Sequence, residues 1–315
     1  MEPVKLGFVF PGQGAQSVGM GRDLYESNAA AKIALDACEL ACPGLLAVCF
    51  DGPEETLKQT VWTQPALFAV SVAAYEAVKS AGIEPMAVAG HSIGEYAALY
   101  AAGVFDIPTA MALVCARAEA MAESAKANPG AMAAVLGLDA ETIAEICQKT
   151  PGIVVPANLN CPGQVVISGE VAAVEAASAA LKEAGAKRVI ALAVSGAFHS
   201  PLMQSAADKL AVALANSTLN PPTVPVIANV TAARETSVDE IRANLVAQVP
   251  GQVRWTESVE KMLEMGVEAF VELGSGKVLA GLIKKIAPDV PIYSVGDSAS
   301  LAAVSLVIGG QGGIS

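Results

Sequence analysis

The sequence predicts an α/β fold in which a parallel sheet with helices on its faces is interrupted by a second, smaller unit. Three observations lead to this class. Short apolar stretches alternate with helical stretches in the N-terminal part of the chain, which is typical of parallel sheets covered by helices. A G-x-S-x-G motif stands between one predicted strand and the next helix. Near residue 128 the order of elements changes to β-α-β-β-α-β.

Two apolar segments in the first part of the chain end in glycine-containing loops. Leu6–Phe10 is predicted as a strand that stops at Pro11-Gly12-Gln13-Gly14, and Met86–Ala89 as a buried strand that runs into Gly90. Apolar residues recur with helical spacing around these strands. The predicted helices are Met20–Glu26, Ala29–Ala41, Gln64–Ser80, Glu95–Ala102 and a segment from Asp106 to about Ser124.

The middle of the chain has the element order of a ferredoxin-like unit. Its predicted elements are strand Ala131–Leu138, helix Ala140–Lys149, strands Ile153–Asn158 and Gln164–Ser168, helix Val171–Ala184 and strand Arg188–Val194. The larger sheet then resumes with helix Pro201–Ala215, strands Val224–Val230 and Ala269–Leu273, and helix Val278–Ile286. We therefore expect a catalytic domain from residues 1–127 and 198–315, a ferredoxin-like subdomain at 128–197, and a frayed tail from Gly309 onwards.

Charge and hydropathy exclude nucleic acid and membranes as partners. The 315 residues include 19 Lys and Arg against 31 Asp and Glu, a formal net charge of −12. Basic residues run no longer than Lys187-Arg188 and Lys284-Lys285, so a basic stripe for phosphates is absent. No apolar run approaches the ~20 residues of a membrane span. Met1–Lys5 does not have the pattern of a signal peptide.

The six cysteines indicate a reducing compartment and no structural metal. They contain no C-x-x-C pair and most lie among apolar or helical neighbours, as small buried hydrophobic residues do. With two histidines in the whole chain, a zinc site would have to be built mainly from carboxylates. We therefore expect a cytoplasmic protein that uses no metal.

The G-x-S-x-G motif, Gly90-His91-Ser92-Ile93-Gly94, predicts a nucleophile elbow in a hydrolase-like domain. The flanking glycines permit a sharp, strained turn that exposes the serine hydroxyl at the N-terminus of the next helix. Free N–H groups and the helix dipole then face any negative charge that develops there. Ser92 is the predicted nucleophile.

A serine hydroxyl needs a base within hydrogen-bond reach. His91 is adjacent to Ser92 in the turn, so its side chain is expected to point elsewhere and to pack or hydrogen-bond beneath the elbow. His199, on the loop that enters the helix at Pro201, is the remaining candidate. Spacing fixes no acid as a third member. A dyad oriented by a backbone carbonyl and a triad are both open.

The loop after the first strand has a glycine pattern with three possible uses. Gly12-Gln13-Gly14 begins like a dinucleotide motif, but Ser17 stands where G-x-G-x-x-G requires its third glycine. The loop is either a simple tight turn or a contributor to an oxyanion hole. In elbow enzymes such a hole combines an N–H from a strand-end loop with the N–H that follows the nucleophile, here that of Ile93.

Arg117 is the only lysine or arginine between Ala81 and Ala125 and lies on an apolar stretch of helix. A lone guanidinium in apolar surroundings is costly unless it is paired. It forms a salt bridge with Glu95 or Glu119, or it clamps a substrate carboxylate with both of its nitrogens. The residues alone favour neither interpretation.

Six ordered blocks that cover nearly the whole chain resemble one family. The family comprises the malonyl-CoA:acyl-carrier-protein transacylases and the acyltransferase domains of polyketide and fatty-acid synthases. The matching blocks are Phe8–Gly14; Gly90–Tyr96 with Arg117; Asn160–Gly169; Phe198–Met203; Gln248 with Val253-Arg254-Trp255; and Glu272–Leu279. One departure is Ser275, where the family often has proline between the two glycines.

The resemblance implies transfer of a malonyl group from malonyl-CoA to the phosphopantetheine thiol of acyl carrier protein, with no resident cofactor. It implies a ping-pong reaction through a malonyl-serine. The implied roles are Ser92 as nucleophile, His199 as base, the N–H groups of Gln13 and Ile93 as oxyanion hole, Arg117 as partner of the malonyl carboxylate, Gln248 as a residue that lines the site and orients His199, and Phe198 as a determinant of malonyl over methylmalonyl.

Three alternatives stay open at the level of sequence. A serine esterase or thioesterase uses the same elbow and base. An acyltransferase of a polyketide pathway would prefer a different acyl group, and a scaffold protein would keep the fold without catalysis. The carrier protein is expected to be acidic, so an enzyme that is itself acidic needs a local basic patch for docking, for which Lys187-Arg188 and Lys284-Lys285 are the candidates.

Overall fold

The computed structural model describes residues 4–309, so the expected frayed tail lies outside the described residues apart from Gly309. The strands are β1 (Leu6–Phe10), β2 (Ala87–Gly90), β3 (Gly130–Leu136), β4 (Val154–Cys161), β5 (Gln164–Glu170), β6 (Arg188–Ala191), β7 (Val226–Ile227), β8 (Arg234–Glu235), β9 (Ala269–Leu273) and β10 (Ile292–Val295). The helices are α1 (Arg22–Ser27), α2 (Ala29–Ala41), α3 (Leu45–Asp51), α4 (Glu54–Leu57), α5 (Thr60–Ser80), α6 (Gly94–Ala101), α7 (Ile107–Ala127), α8 (Ala140–Lys149), α9 (Val171–Glu183), α10 (Gln204–Ala215), α11 (Val238–Gln248), α12 (Trp255–Glu264), α13 (Val278–Ile286) and α14 (Ser298–Gly309).

The larger sheet has the strand order β10-β9-β1-β2-β7-β8. Its first five strands are parallel, and β8 pairs antiparallel with β7. Every residue of β1, β2 and β9 is buried, because helices cover both faces of a parallel sheet. Together with the second sheet described below, this arrangement confirms the predicted α/β class.

The pairing of β1 with β2 brings two loops to one edge of this sheet. Phe10 is opposite Gly90 in the register, so the loop after β1 and the elbow after β2 leave the sheet side by side. The backbone N–H of His91 donates to the carbonyl of Phe10 at 2.9 Å. Ligand sites in open α/β sheets form at this carboxyl edge.

The elbow is so tight that both of its glycines are required. A Cβ atom on Gly90 would lie 2.0 Å from the carbonyl of Gly94, and one on Gly94 would lie 2.1 Å from the carbonyl oxygen of Phe10. Both contacts are with backbone, which cannot move aside as a side chain can. The glycines therefore let α6 start directly against the ends of β1 and β2.

The second sheet has the strand order β4-β5-β3-β6, and all its neighbouring strands are antiparallel. Its elements follow the predicted order β-α-β-β-α-β. Alternate side chains of β3 lie on opposite faces of this sheet. Ala133 and Val135 pack with α8 and α9, whereas Met132 and Ala134 belong to the core shared with the larger sheet. The division of the chain at residues 128 and 197 stays a prediction.

Several elements differ from the sequence prediction. The long strand predicted at 224–230 is only two residues, β7, and the strand predicted at 188–194 ends at Ala191. The helix predicted from Pro201 begins as a 3₁₀ turn, Pro201–Met203, before α10. Helices α3, α4, α11, α12 and α14 and strands β8 and β10 were not predicted. Over the described residues, no helix is both long and apolar enough to cross a membrane.

Candidate active site

Ser92 occupies the turn between β2 and α6 with a strained backbone. Its φ angle is 53°, in the left-handed region that non-glycine residues rarely adopt. Two hydrogen bonds with Asn229, which follows β7 at the same edge of the sheet, hold this conformation. The Ser92 N–H donates to Asn229 Oδ1 at 2.7 Å, and Asn229 Nδ2 donates to the carbonyl of Gly90 at 2.6 Å. The loop that follows β7 thus holds the elbow, in addition to β1 and β2.

His199 lies within hydrogen-bond distance of the serine, as predicted. Ser92 Oγ and His199 Nε2 are 2.7 Å apart. On the other side of the ring, Nδ1 lies 2.9 Å from the carbonyl oxygen of Gln248 and 3.1 Å from that of Gly251. Carbonyls only accept, so Nδ1 carries the proton and Nε2 is free to accept one from Ser92.

The two carbonyls answer the question that the sequence left open between dyad and triad. Within residues 4–309, His199 makes no hydrogen bond or ion pair with a carboxylate. Backbone carbonyls therefore orient the imidazole, which is the dyad alternative. His199 itself has a φ angle of 56°, so both members of the pair sit on strained backbone.

The surroundings of His199 keep its ring neutral. Burial, reinforced by the Arg117 cation, lowers the pKa of His199 to about 3, although the carbonyls of Gln248 and Gly251 partly oppose this shift. An imidazole must be unprotonated at Nε2 to act as a base. His199 is in that state throughout the physiological pH range.

Arg117 is almost completely buried, with 1% of its surface exposed. Its Nη1 donates to Gln64 Oε1 at 2.6 Å, and its Nη2 donates to Gln248 Oε1 at 2.9 Å and to Ser92 Oγ at 3.2 Å. Its Nε has no hydrogen-bond partner within the described residues.

The salt-bridge interpretation of Arg117 is wrong. None of the ion pairs closer than 4.0 Å within residues 4–309 includes Arg117, so neither Glu95 nor Glu119 pairs with it directly. A guanidinium keeps its charge even when buried. The site therefore holds a cation whose direct partners are two amides and a hydroxyl.

Gln248, at the C-terminal end of α11, forms hydrogen bonds with Ser92, His199 and Arg117. Its amide oxygen accepts from Arg117, its amide nitrogen donates to the carbonyl of Ser92 at 3.0 Å, and its own carbonyl accepts from His199. It is fully buried and lies behind the cavity wall rather than on it. The resemblance placed Gln248 in the site, but the contact with His199 runs through its backbone.

The remaining predicted site residues lie around one cavity of about 290 Å³. Gln13 and Ile93 border it, and within residues 4–309 neither of their backbone N–H groups donates a hydrogen bond to the protein. Ile93 directly precedes α6, whose N-terminus carries a partial positive charge. Phe198 also borders the cavity, adjacent to His199 in sequence. Two free donors near the serine are what an oxyanion hole requires.

Three further residues support the site without having been predicted. Asn229 holds the elbow, Gln64 on α5 holds Arg117, and Asn160 Oδ1 lies 2.9 Å from Nε2 of His91. The contact of His91 agrees with the expected structural hydrogen bond beneath the elbow. The sequence carried no clear signal for Asn229, because it falls inside the strand predicted at 224–230, whereas the observed β7 ends at Ile227 and leaves Asn229 in the following loop.

The described residues contain no group of three His, Cys, Asp or Glu side chains placed to hold a metal ion. All six cysteines are free. The groups that the site itself offers are a serine nucleophile, a neutral imidazole, two free backbone donors and a buried cation.

The chain matches known proteins over most of its length. Residues 7–296 match the family model described as the acyl transferase domain. A malonyl CoA-acyl carrier protein transacylase of Bacillus subtilis is 46% identical over 93% of this chain and 94% of its own length. The crystal structure of an acyl carrier protein S-malonyltransferase from Vibrio cholerae is 46% identical, with a TM-score of 0.92 over 95% of this chain and 99% of that one.

A third relative is a malonyl-transacylase solved in complex with its type II PKS acyl-carrier protein. It is 44% identical, with a TM-score of 0.92 over 95% of this chain and 98% of that one. The relatives are thus matched over nearly their whole length, in sequence and in fold. The chain belongs to the acyl transferase domain family.

Proposed function

We propose that this protein transfers the malonyl group of malonyl-CoA to the phosphopantetheine thiol of an acyl carrier protein. The observation that carries the proposal is that Ser92 Oγ lies 2.7 Å from the neutral base His199 and 3.2 Å from the buried cation Arg117. In malonyl-CoA one methylene separates the carboxylate from the thioester carbonyl. A cation beside the nucleophile therefore suits this acyl group, and the names of the relatives support the same substrates.

In the first half-reaction Ser92 attacks the thioester carbonyl while His199 Nε2 accepts the hydroxyl proton. The N–H groups of Gln13 and Ile93 stabilise the resulting oxyanion. When the intermediate collapses, the C–S bond breaks and the CoA sulfur takes the proton from His199. The products are free CoA and a malonyl ester of Ser92.

The second half-reaction runs the same steps in reverse with another thiol. The phosphopantetheine thiol of the carrier protein gives its proton to His199 and attacks the ester carbonyl. The Ser92 oxygen leaves and recovers the proton, which restores the free enzyme. No cofactor takes part in these steps. The enzyme would act in a reducing cytoplasm, which its six free cysteines support.

A serine thioesterase would use the same dyad, but the names of the relatives favour transfer, and the buried cation favours a carboxylated acyl group. Acylation leaves the malonyl carboxylate beside Arg117, so the ester is held in place until a thiol arrives. The same cation selects against acyl groups that lack a carboxylate, because these leave its charge unpaired. Phe198, next to His199, is proposed to narrow the cavity against the extra methyl group of methylmalonyl.

Mixing the enzyme with malonyl-CoA should produce a malonyl adduct on Ser92. Intact-mass spectrometry in the absence of carrier protein measures the adduct, and the variant Ser92→Ala, which has no nucleophile, is the control. Addition of carrier protein that bears phosphopantetheine should remove the adduct and load the carrier. Rapid release of malonate without a persistent adduct would instead identify a hydrolase, and an unlabelled Ser92 would identify a non-catalytic scaffold.

Replacing Arg117 with alanine should impair malonyl transfer far more than acetyl transfer. The lost cation pairs only with an acyl carboxylate, and a site built to pair a polar group discriminates by up to ~10⁴. We expect the ratio of kcat/KM for malonyl-CoA to that for acetyl-CoA to fall by at least about a hundredfold. Parallel assays with the two thioesters measure this ratio. Equal losses for both substrates would show that Arg117 has only a structural role.

Acylation of Ser92 by a neutral ester should not depend on pH between about pH 6 and about pH 4.5. A histidine with an ordinary pKa near 6.5 would lose roughly twentyfold of its neutral form over this interval. Because the pKa of His199 is lowered to about 3, its neutral form should persist until the pH falls far lower. Stopped-flow rates with p-nitrophenyl acetate test this, and a roughly twentyfold decline over the same interval would contradict it.

Two exposed basic residues lie on the elements that border the cavity. Val278 and Leu282 of α13 line the cavity, and Lys285 follows on the same face of this helix. Leu192 also lines it, and Arg188 of β6 lies on the same side by the two-residue period of a strand. Neither Lys285 nor Arg188 takes part in an ion pair within residues 4–309. We propose that these two bind the acidic carrier protein.

Charge reversal should distinguish the effects of Lys285 and Arg188 on carrier-protein binding from those of their sequence neighbours. The variants Lys285→Glu and Arg188→Glu should raise the KM for carrier protein at least about fivefold, because each places repulsion beside the cavity. Lys284→Glu and Lys187→Glu, which change the net charge equally but lie on the other face of each element, should raise it less than about twofold. Steady-state assays at low salt measure the effect. Equal effects of all four variants would show that only the net charge matters.

A further inference from the structure

A second charged residue, Glu95, is buried beneath Ser92 and plays no part in the mechanism above. It lies in the first turn of α6 and has none of its surface exposed. Its Oε2 accepts from the backbone N–H of Asn229 and from Gln248 Nε2, both at 2.9 Å. Its Oε1 has no hydrogen-bond partner within the described residues. The carboxylate thus contacts the residues that hold Ser92 and Arg117 without touching either of them.

The Gln248 amide separates Glu95 from Arg117. Because a carboxylate can only accept hydrogen bonds, Gln248 must turn its NH₂ group towards Glu95 and its oxygen towards the guanidinium. The order of groups is therefore carboxylate, amide, guanidinium and then Ser92. The amide lets the anion stabilise the buried cation of the empty site while it leaves the guanidinium without a direct carboxylate partner.

If the proposed malonyl transfer is correct, an incoming malonyl carboxylate meets a cation that already interacts with Glu95. We propose that Glu95 is a positioning residue that sets how strongly Arg117 holds the malonyl group, because the two carboxylates compete through Gln248 for one guanidinium. An acetyl group carries no charge and does not enter this competition. The charge of Glu95 should therefore change the reaction with malonyl-CoA and leave that with acetyl-CoA almost unchanged.

The ionisation of Glu95 can be controlled by pH in an accessible range. Burial raises the pKa of Glu95 to about 7, although its hydrogen bonds and the Arg117 charge partly oppose the shift. The other charged or titratable groups that act on it are Tyr96 on its own helix and Glu235 on β8. Below about pH 7 the carboxyl is neutral and the competition is absent. Above it the carboxylate is charged and weakens the hold on malonyl.

The experiment compares wild-type enzyme with the variant Glu95→Gln. The second-order rate constant for acylation of Ser92 is measured by quenched-flow and intact mass with malonyl-CoA and with acetyl-CoA, from about pH 6 to about pH 8.5, which brackets the pKa of Glu95. In the wild type we expect the malonyl-to-acetyl ratio to fall roughly tenfold as the pH rises, as for like charges roughly 10 Å apart at an effective dielectric constant of about 20. In Glu95→Gln the ratio should stay at the low-pH value.

The variant Glu235→Gln is a matched control. Glu235 is also a buried carboxyl, but its hydrogen bond goes to Asn244 and not to Gln248 or Asn229. It should leave the ratio at high pH unchanged within about threefold. An equal effect of both variants would overturn the assignment to Glu95, and so would a pH-independent ratio in the wild type, a measurement that needs no variant to fold. Absence of any malonyl adduct in the wild type would instead overturn the proposed function itself.

Discussion

The site depends on one buried cation that has no direct carboxylate partner among residues 4–309. Arg117 is 1% exposed, and removing a guanidinium from water costs several kcal/mol unless other groups replace the lost hydrogen bonds. Gln64 and Gln248 supply two such bonds with neutral oxygens. A carboxylate in either position would stabilise Arg117 better but would also occupy it. Neutral amides keep the cation in place and leave it able to bind an anion.

The backbone of both dyad residues is strained and has to be stabilised by its surroundings. Ser92 and His199 both have positive φ angles, which cost about 1–3 kcal/mol each. The larger sheet offsets the cost at Ser92, because hydrogen bonds hold the elbow from two sides: His91 N–H donates to the carbonyl of Phe10 in β1, and Ser92 N–H donates to Asn229 after β7. The nucleophile is thus presented by several strands at once, so its position does not rest on a flexible loop.

Sequence patterns predicted the elements whose burial follows a simple period. The bounds of β1, α2, α8, β9 and α13 agree with the prediction because their apolar residues follow a strand or helix period between clear turns. Helix α11 was missed because Asn244 and Gln248 are two of its four buried residues, which breaks its apolar period. Helix α12 did carry a signal, since its buried residues Trp255, Val259 and Met262 recur with helical spacing.

In the site, Ser92 was predictable from a motif and His199 by elimination, because two histidines leave one base. The groups that orient His199 were not predictable. They are backbone carbonyls of Gln248 and Gly251, and a carbonyl has no sequence signature. Gln64 on α5 accepts a hydrogen bond from Arg117, although the two residues are 53 positions apart in the chain. One glutamine among helical residues gives no sign of that contact. Such contacts follow from how the elements pack.

Two kinds of electrostatics operate at different depths of this acidic protein. In the interior, Arg117 and Glu95 act on each other without solvent between them, which is why the charge of Glu95 is proposed to change the binding of a malonyl group. At the surface, Lys285 and Arg188 are exposed, so solvent and salt screen their charges, and the role proposed for them is in the encounter with a carrier protein rather than in the chemistry. The net charge of −12 is therefore compatible with the proposed transfer to an acidic carrier protein. If docking occurs as proposed, the long-range repulsion has to be overcome only where the carrier approaches, near Lys285 and Arg188, which form no ion pair within residues 4–309.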